Sequence, residues 1–445
     1  VSGTSEVGRQ ATHIAVGGFA VLLRWLSSWQ AAGLAMLAIA VNRWALPRIA
    51  PAVFRDGDRQ HPWRSGIVLY PIAVLGLVVA FPGRPDIVAG SWAVLAAGDG
   101  AATLVGRRWP IAALPWNRDK SAGGLAAFVV AGGVAAVTAI AWVGPNAPPL
   151  AAGWAIAAVA AALVAGLVES APIRFNDNVS VPAVAALALW SLGAFDAGAA
   201  GRWWSTGGAT LLSTGLAANA AVAIAGYMAR TVTASGALAG AVIGTTVFAG
   251  FGGPGWALLL AAFLLAALAT RAGEARKARA GLGEPRGGRR GPGNAIANTG
   301  LAAWCALVAV GARDDTAAAL AFAATLVATS SDTVASEIGK AFGRGTWSVW
   351  PPGRVAPGTS GAVSAAGTAA GIAGAAILSS VAAFAGLVAW TWVGALTAAA
   401  TVAGLVEGLL ASRYEASGVF DNNALNFVNG GVAAALVLAT WRVVG

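Results

Sequence analysis

The chain has 445 residues, 58% of them hydrophobic and only 10% charged, with a mean hydropathy of +0.72. That balance excludes a soluble globular enzyme, and the absence of alternating strands excludes a membrane barrel, so repeated apolar runs of roughly 17–25 residues read as membrane helices. The formal charge of +10 belongs to the short loops between those runs, where a positive-inside bias is the plain cause and no nucleic-acid partner is implied.

The start, from Val1 to His13, is polar and is expected to carry no signal peptide. Spans are predicted near 12–26, 29–46, 65–81, 87–105, 122–143, 148–168 and 179–196. A second set follows near 206–228, 235–251, 254–270, 294–312, 316–331, 361–381, 385–411 and 424–441. If every one crosses, all but five of the 28 Lys and Arg fall on one side, the exceptions being Arg24, Arg84, Arg202, Arg313 and Arg442. The bias predicts a cytoplasmic N-terminus, an external C-terminus and a bacterial inner (cytoplasmic) membrane location.

Between the tenth and eleventh spans lies the longest polar break, RAGEARKARAGLGEPRGGRRGPGN from Arg271. Its first part is expected to extend a helix out of the bilayer, and its second is a basic Gly/Pro-rich loop near anionic headgroups. In a functional reading Arg289, Arg290, Asn294 and Asn298 of this region face a site. Cys305 is a lone apolar-run thiol, so neither a disulfide framework nor a CxxC metal site is available. His13 and His61 lack metal-ligand spacing, and the 19 Trp mostly flank spans as an interfacial belt does.

An unusual stretch runs from Ser330 to Thr368, SSDTVASEIGKAFGRGTWSVWPPGRVAPGTSGAVSAAGT. Charge beside a bilayer span is costly unless it faces protein or water, so this stretch marks a site. It has a partner in the first half. Asp99, flanked by Gly98 and Gly100, is followed seven residues on by Gly106-Arg107, and Asp332 is followed seven residues on by Gly339-Lys340. A basic Pro/Trp loop follows each, ending at Lys120-Ser121 in one half and at Gly358-Thr359-Ser360-Gly361 in the other. Ser121 precedes Glu169 by 48 residues, and Ser360 precedes Glu407 by 47. Asp177-Asn178 and Asp421-Asn422, with Asn426 beyond, precede the last span of each half. Matching elements lie an even number of spans apart, so the two copies share one orientation, unlike the inverted repeats of many transporters. The expected fold is an all-α polytopic membrane protein with about 15 helices in two tandem, same-orientation repeats, split into domains 1–200 and 201–445.

The recurring carboxylates Asp99, Glu169, Asp177, Asp332, Glu407 and Asp421 are hard oxygen ligands suited to Mg2+. Basic groups beside them suit the phosphates of a nucleoside triphosphate, with Asp99, Asp332, Lys120 and Lys340 as the expected catalytic set. The helix-opening PGTSG turn offers amide groups for a phosphate, without the spacing of a Walker motif.

At these residues the chain resembles known families. The first half resembles the phytol kinase/dolichol kinase group of polyprenol kinases, through EVGRQATHI with Glu6, Arg9 and His13, SGIVLYPI from Ser65, GDGAATLVGRR from Gly98, the Lys120-Ser121 turn and ESAPIRFNDNVSVP from Glu169. The second half resembles the DUF92 family that includes phytyl-phosphate kinases, through GRRGPGNAIANTG from Gly288, SDTVASEIGKAFGR from Ser331, PGTSGAVSAAGT from Pro357 and DNNALNFVNG from Asp421. The resemblance implies Mg2+-dependent phosphorylation of a long-chain isoprenoid by CTP or another NTP, first to the monophosphate and then to the diphosphate. It implies contacts to nucleotide or lipid from Ser336, Glu337, Arg344, Arg354 and Ser364, beside the residues already named. Two alternatives stay open: a cytidylyltransferase making a CDP-lipid, and, in another class, a lipid transporter or flippase. The oligomeric state is not legible.

Overall fold

The computed structural model describes residues 13–50, 65–114, 117–144, 153–170, 176–193, 195–283, 289–312, 315–415 and 420–444. Glu6, Arg9, His61 and Arg313, named above, lie outside the described residues. The chain divides into two compact units, Val1–Ala194 and Phe195–Gly445.

The first unit is built from α1 (His13–Arg24), α2 (Ser28–Ala40), α3 (Gly66–Ala80), α4 (Pro85–Arg108), α5 (Ala122–Val143), α6 (Trp154–Ser170) and α7 (Asp177–Gly193). Side chains start several of these helices. Ser27 and Gln30 form a reciprocal capping box on α2, Ser65 caps α3, and Ser121 accepts the amide of Gly124 to cap α5. Each cap satisfies an amide that lipid cannot, typically for about 1 kcal/mol. A short antiparallel pair, β1 (Ala113–Leu114) and β2 (Asn117–Ser121), joins α4 to α5. Small residues let α4 and α5 approach: a Cβ added at Gly132 would sit 3.5 Å from the Cα of Gly98.

The second unit contains α8 (Ala197–Met228), α9 (Ala234–Arg271), α10 (Glu274–Arg279), α11 (Pro292–Val310), α12 (Thr316–Phe342), α13 (Ala365–Phe384), α14 (Trp390–Glu415) and α15 (Asn422–Val444). Between α12 and α13, β3 (Thr346–Ser348), β4 (Gly353–Val355) and β5 (Ala362–Val363) form a small antiparallel sheet with β3 central. Helix α12 is the hub. Every residue from Ala319 to Ser331 is buried, and α9, α11, α13, α14 and α15 all pack on it. That stretch carries no charged residue, which suits the central place.

The fold is thus that of an all-α polytopic membrane protein, with two small hairpin elements between helices. Among the described residues nine helices are long and apolar enough to cross a membrane, and three shorter apolar ones accompany them. The predicted break between 235–251 and 254–270 is a non-helical Gly252 (φ 59°) inside α9, next to Pro254. The predicted end of the twelfth span at 331 is corrected: α12 continues to Phe342, so Asp332, Ser336, Glu337 and Lys340 are helical residues. The break after Arg271 is also corrected. Gly273, at φ 65°, ends α9, and the chain turns into the separate helix α10 instead of extending α9 outward.

Candidate active site

In the second unit the polar residues of α12, the β5 approach and α14 converge on a cavity of about 310 Å³. Ten residues singled out from the sequence line it: Asp332, Ser336, Lys340, Gly358, Thr359, Ser360, Gly361, Ser364, Glu407 and Asn422. The period of α12 explains the first three, since positions 332, 336 and 340 lie four apart on one helix face. The carboxyl groups of Asp332 and Glu407, on two different helices, both line the cavity, and Lys340 lines it from the same helix as Asp332. Gly358 and Gly361 have positive φ of 84° and 68°, which lets the PGTSG turn fold back tightly. A side chain at Gly361 would collide with the backbone of Gly408 and Ser412 on α14. The last turn of α14, Ala411–Glu415, is a wide π-type turn, and Ser360 donates its hydroxyl to Glu415 there.

Other predicted residues lie elsewhere. Glu337 faces away from the cavity and is buried, bridging Lys340 at 3.0 Å and Lys277 of α10 at 2.5 Å. Asp421 caps α15 by accepting the amide of Ala424, and Asn426 is buried one turn further on. The Arg290 backbone bonds to Thr231 and Thr233, while its side chain reaches Thr270 at 3.4 Å. Asn298 is buried and donates to the Asn294 carbonyl. Arg344 and Arg354 are exposed, with Arg354 stacked 5.6 Å from the Trp347 ring. None of these lines the cavity.

The first unit gathers its own charged cluster. Lys120, at the end of β2, pairs with Glu169 of α6. Burial works against the Lys120 ammonium, but the hydrogen bond and charge of Glu169, with the charges of Asp177 and Asp99, outweigh it and hold its pKa above the ordinary lysine value. Asp99 ends a π-type turn of α4, Val94–Asp99, and its carboxylate is 3.7 Å from His13 Nε2. His13 in turn stacks edge-on with Tyr70. Gly98 and Gly100 serve packing, since a Cβ at either would press on Phe128 or Ile14. Asn178 fills the space beside Gly66 and donates to Asn176, and Arg107 is exposed at the end of α4.

The two units share a local device. Ser121 caps α5 against Gly106 of α4, and Ser364 caps α13 against Gly339 of α12. Ser364, rather than Ser360, is therefore the counterpart of Ser121. The extra strand of the second unit lengthens its loop and displaces the match read from spacing alone. Sequence reasoning missed Lys277, Glu415 and the place of His13 beside Asp99. Lys277 lay hidden among neighbouring cations, and Glu415 had no counterpart to mark it. Among the described residues no three His, Cys, Asp or Glu side chains converge as a metal cage.

The chain matches a family described as "Integral membrane protein DUF92" over residues 217–441. It is 31% identical over 224 residues to "Protein VTE6, chloroplastic" of Arabidopsis thaliana, covering 47% of this chain and 67% of that protein. It is 34% identical over 200 residues to an uncharacterized membrane protein of Synechocystis sp., covering 44% of this chain and 78% of the relative. A third match, to "Probable phytol kinase, chloroplastic" of Triticum aestivum, is 32% identical over 152 residues and covers 32% of this chain and 49% of that protein. No solved structure matches the chain significantly.

Proposed function

Because the chain belongs to the DUF92 family of integral membrane proteins, we propose that it is a membrane kinase moving the γ-phosphoryl group of CTP, or another nucleoside triphosphate, to an isoprenoid acceptor. The first unit acts on the alcohol and the second on its monophosphate. The observation that carries this reading is the cavity where Asp332, Glu407 and Lys340 meet the PGTSG turn. The wheat relative's printed name, a phytol kinase, points to the same acceptor class.

The chemistry follows from the charges. A bond forms from an acceptor oxygen to the γ-phosphorus, the bond from that phosphorus to the β-bridging oxygen breaks, and the nucleoside diphosphate leaves. Protein catalysis of such a transfer is mostly positioning and charge stabilisation. In the second unit the acceptor is already a phosphate oxygen, so the demand is for cations, met by Lys340 and by the amides of the turn. In the first unit the acceptor is a hydroxyl, whose proton passes to Asp99, with Lys120 paired to Glu169.

The donor set fits magnesium. This cation takes one or two carboxylates and completes its shell with phosphate and water, so a complete protein cage is not needed. Asp332 and Glu407 would hold it in the second unit, since both carboxyl groups line the same cavity. When bound, it supplies neutralisation of the phosphate charge.

Label position tests the reaction class. Protein purified in detergent is given phytol or geranylgeraniol and CTP labelled at either the α- or the γ-phosphate. The kinase reading requires γ label in the lipid and none from the α position. Label from the α position would assign the chain to CDP-lipid synthesis instead.

A further inference from the structure

The basic segment after α9 does more than lie against the membrane surface. Lys277 of α10 is 2% exposed, yet its ammonium is satisfied, with Glu337 Oε2 at 2.5 Å and the Thr270 carbonyl at 2.6 Å. The other Glu337 oxygen accepts from Lys340 at 3.0 Å. One carboxylate therefore bridges two lysines, of which only Lys340 lines the cavity. Arg276, the residue before Lys277, donates to the Ala341 carbonyl at 3.3 Å and lies over the Phe342 ring. Consecutive residues of α10 thus grip the C-terminal turns of α12.

Burying a lysine is costly, and a buried pair is often no more stable than an apolar replacement. Its retention calls for a role beyond stability. The charge count supplies one. Were Glu337 paired with Lys340 alone, the two would cancel, and the cavity would face an anion with the carboxyls of Asp332, Glu407 and Glu415 and no net cation from this helix face. With Lys277 behind it, the trio keeps one positive charge, while Glu337 still fixes where the Lys340 ammonium points.

We propose that Lys277 is a positioning residue for anion binding: it neutralises Glu337 from behind, so that Glu337 can aim Lys340 into the cavity without cancelling it. The ligand class is a polyphosphate, and the role rests on the nucleotide-dependent reading above. The same charge arithmetic applies to the triphosphate alone.

The probe is inorganic tripolyphosphate, with binding measured by calorimetry on the whole detergent-purified protein beside the CTP-dependent assay. Lys277→Met removes the charge at similar volume and is expected to weaken tripolyphosphate binding roughly tenfold, as loss of one nearby charge at intermediate dielectric predicts. It is expected to raise the KM for CTP by a similar factor, with kcat changed less than twofold. Lys277→Arg should bind as the native chain does. The double variant Lys277→Met with Glu337→Gln restores the single positive charge and is expected to recover most of the binding. Thermal melting of each variant separates this from a folding effect. Undiminished tripolyphosphate binding by a folded Lys277→Met protein overturns the inference, and so does a double variant that regains its melting temperature but not its binding. If the native chain binds tripolyphosphate and the variants follow this pattern, but no lipid is phosphorylated, the charge arrangement stands and the kinase reading falls.

Discussion

Asp332 stands where a polar helix face, a second carboxyl group and a glycine-rich turn meet, and its weight in the account can be measured. Asp332→Asn keeps the volume but removes the negative charge, and is expected to lower turnover of the monophosphate roughly 100-fold, the usual scale for a preorganised electrostatic group. Radiolabelled product counted by thin-layer separation checks it, with melting temperature as the control. Residues of this kind were legible because a charge within an apolar run has no cheap structural reason to be there. Glu337 carried the same signal, and its burial beside Lys277 could not be read because the partner lies sixty residues away in sequence, inside a run of similar cations. Asp421 was marked by the same logic and caps a helix, a use that composition does not separate from ligation.

At the scale of elements, the interlock of α12 with α13 is the contact on which the cavity depends. A Cβ at Gly367 would lie 2.5 Å from the Ala335 carbonyl and 3.1 Å from the Gly339 Cα, with backbone that cannot turn aside. Gly367→Ala is expected to destabilise the protein by about 1–3 kcal/mol. Gly240→Ala on α9, where nothing lies within 4 Å, is expected to be neutral or slightly stabilising. Thermal melts of the two variants in one detergent make the comparison. Loss of the Ser364 cap in Ser364→Ala should cost about 1 kcal/mol by the same measurement. Most helices were legible from apolar runs, and α5 falls on its predicted bounds. The extension of α12 was not, because hydropathy drops at Asp332 while helix formation continues. There one helix face lines a cavity and the Glu337 charge is balanced by Lys277. The strands between α12 and α13 escaped notice as well, being two or three residues each within a Trp/Pro-rich loop.

For the whole molecule, each unit has a carboxylate at the seventh residue before a packing glycine, and each has a hydroxyl cap seated on that glycine. The cation differs in origin: Lys120 comes from a strand and Lys340 from the helix that carries the carboxylate. This difference suits separate acceptors, a hydroxyl in one unit and a phosphate in the other. Chelation of divalent metal with EDTA is expected to stop both transfers, and added magnesium to restore them, followed as labelled lipid. The matched Asp-to-Gly spacing was legible in the sequence, whereas the true partner of Ser121 appeared only with the capping geometry.

The central claim is that two sites carry out consecutive phosphoryl transfers, and the most direct measurement follows γ-labelled CTP into lipid in the native chain and in the Asp99→Asn and Asp332→Asn variants. The account predicts labelled diphosphate from the alcohol with the native chain and labelled monophosphate accumulating with Asp332→Asn. With Asp99→Asn it predicts product only when the monophosphate is supplied. An absence of labelled lipid from the native chain with either CTP or ATP would contradict it, as would variants that lose both steps together while remaining folded.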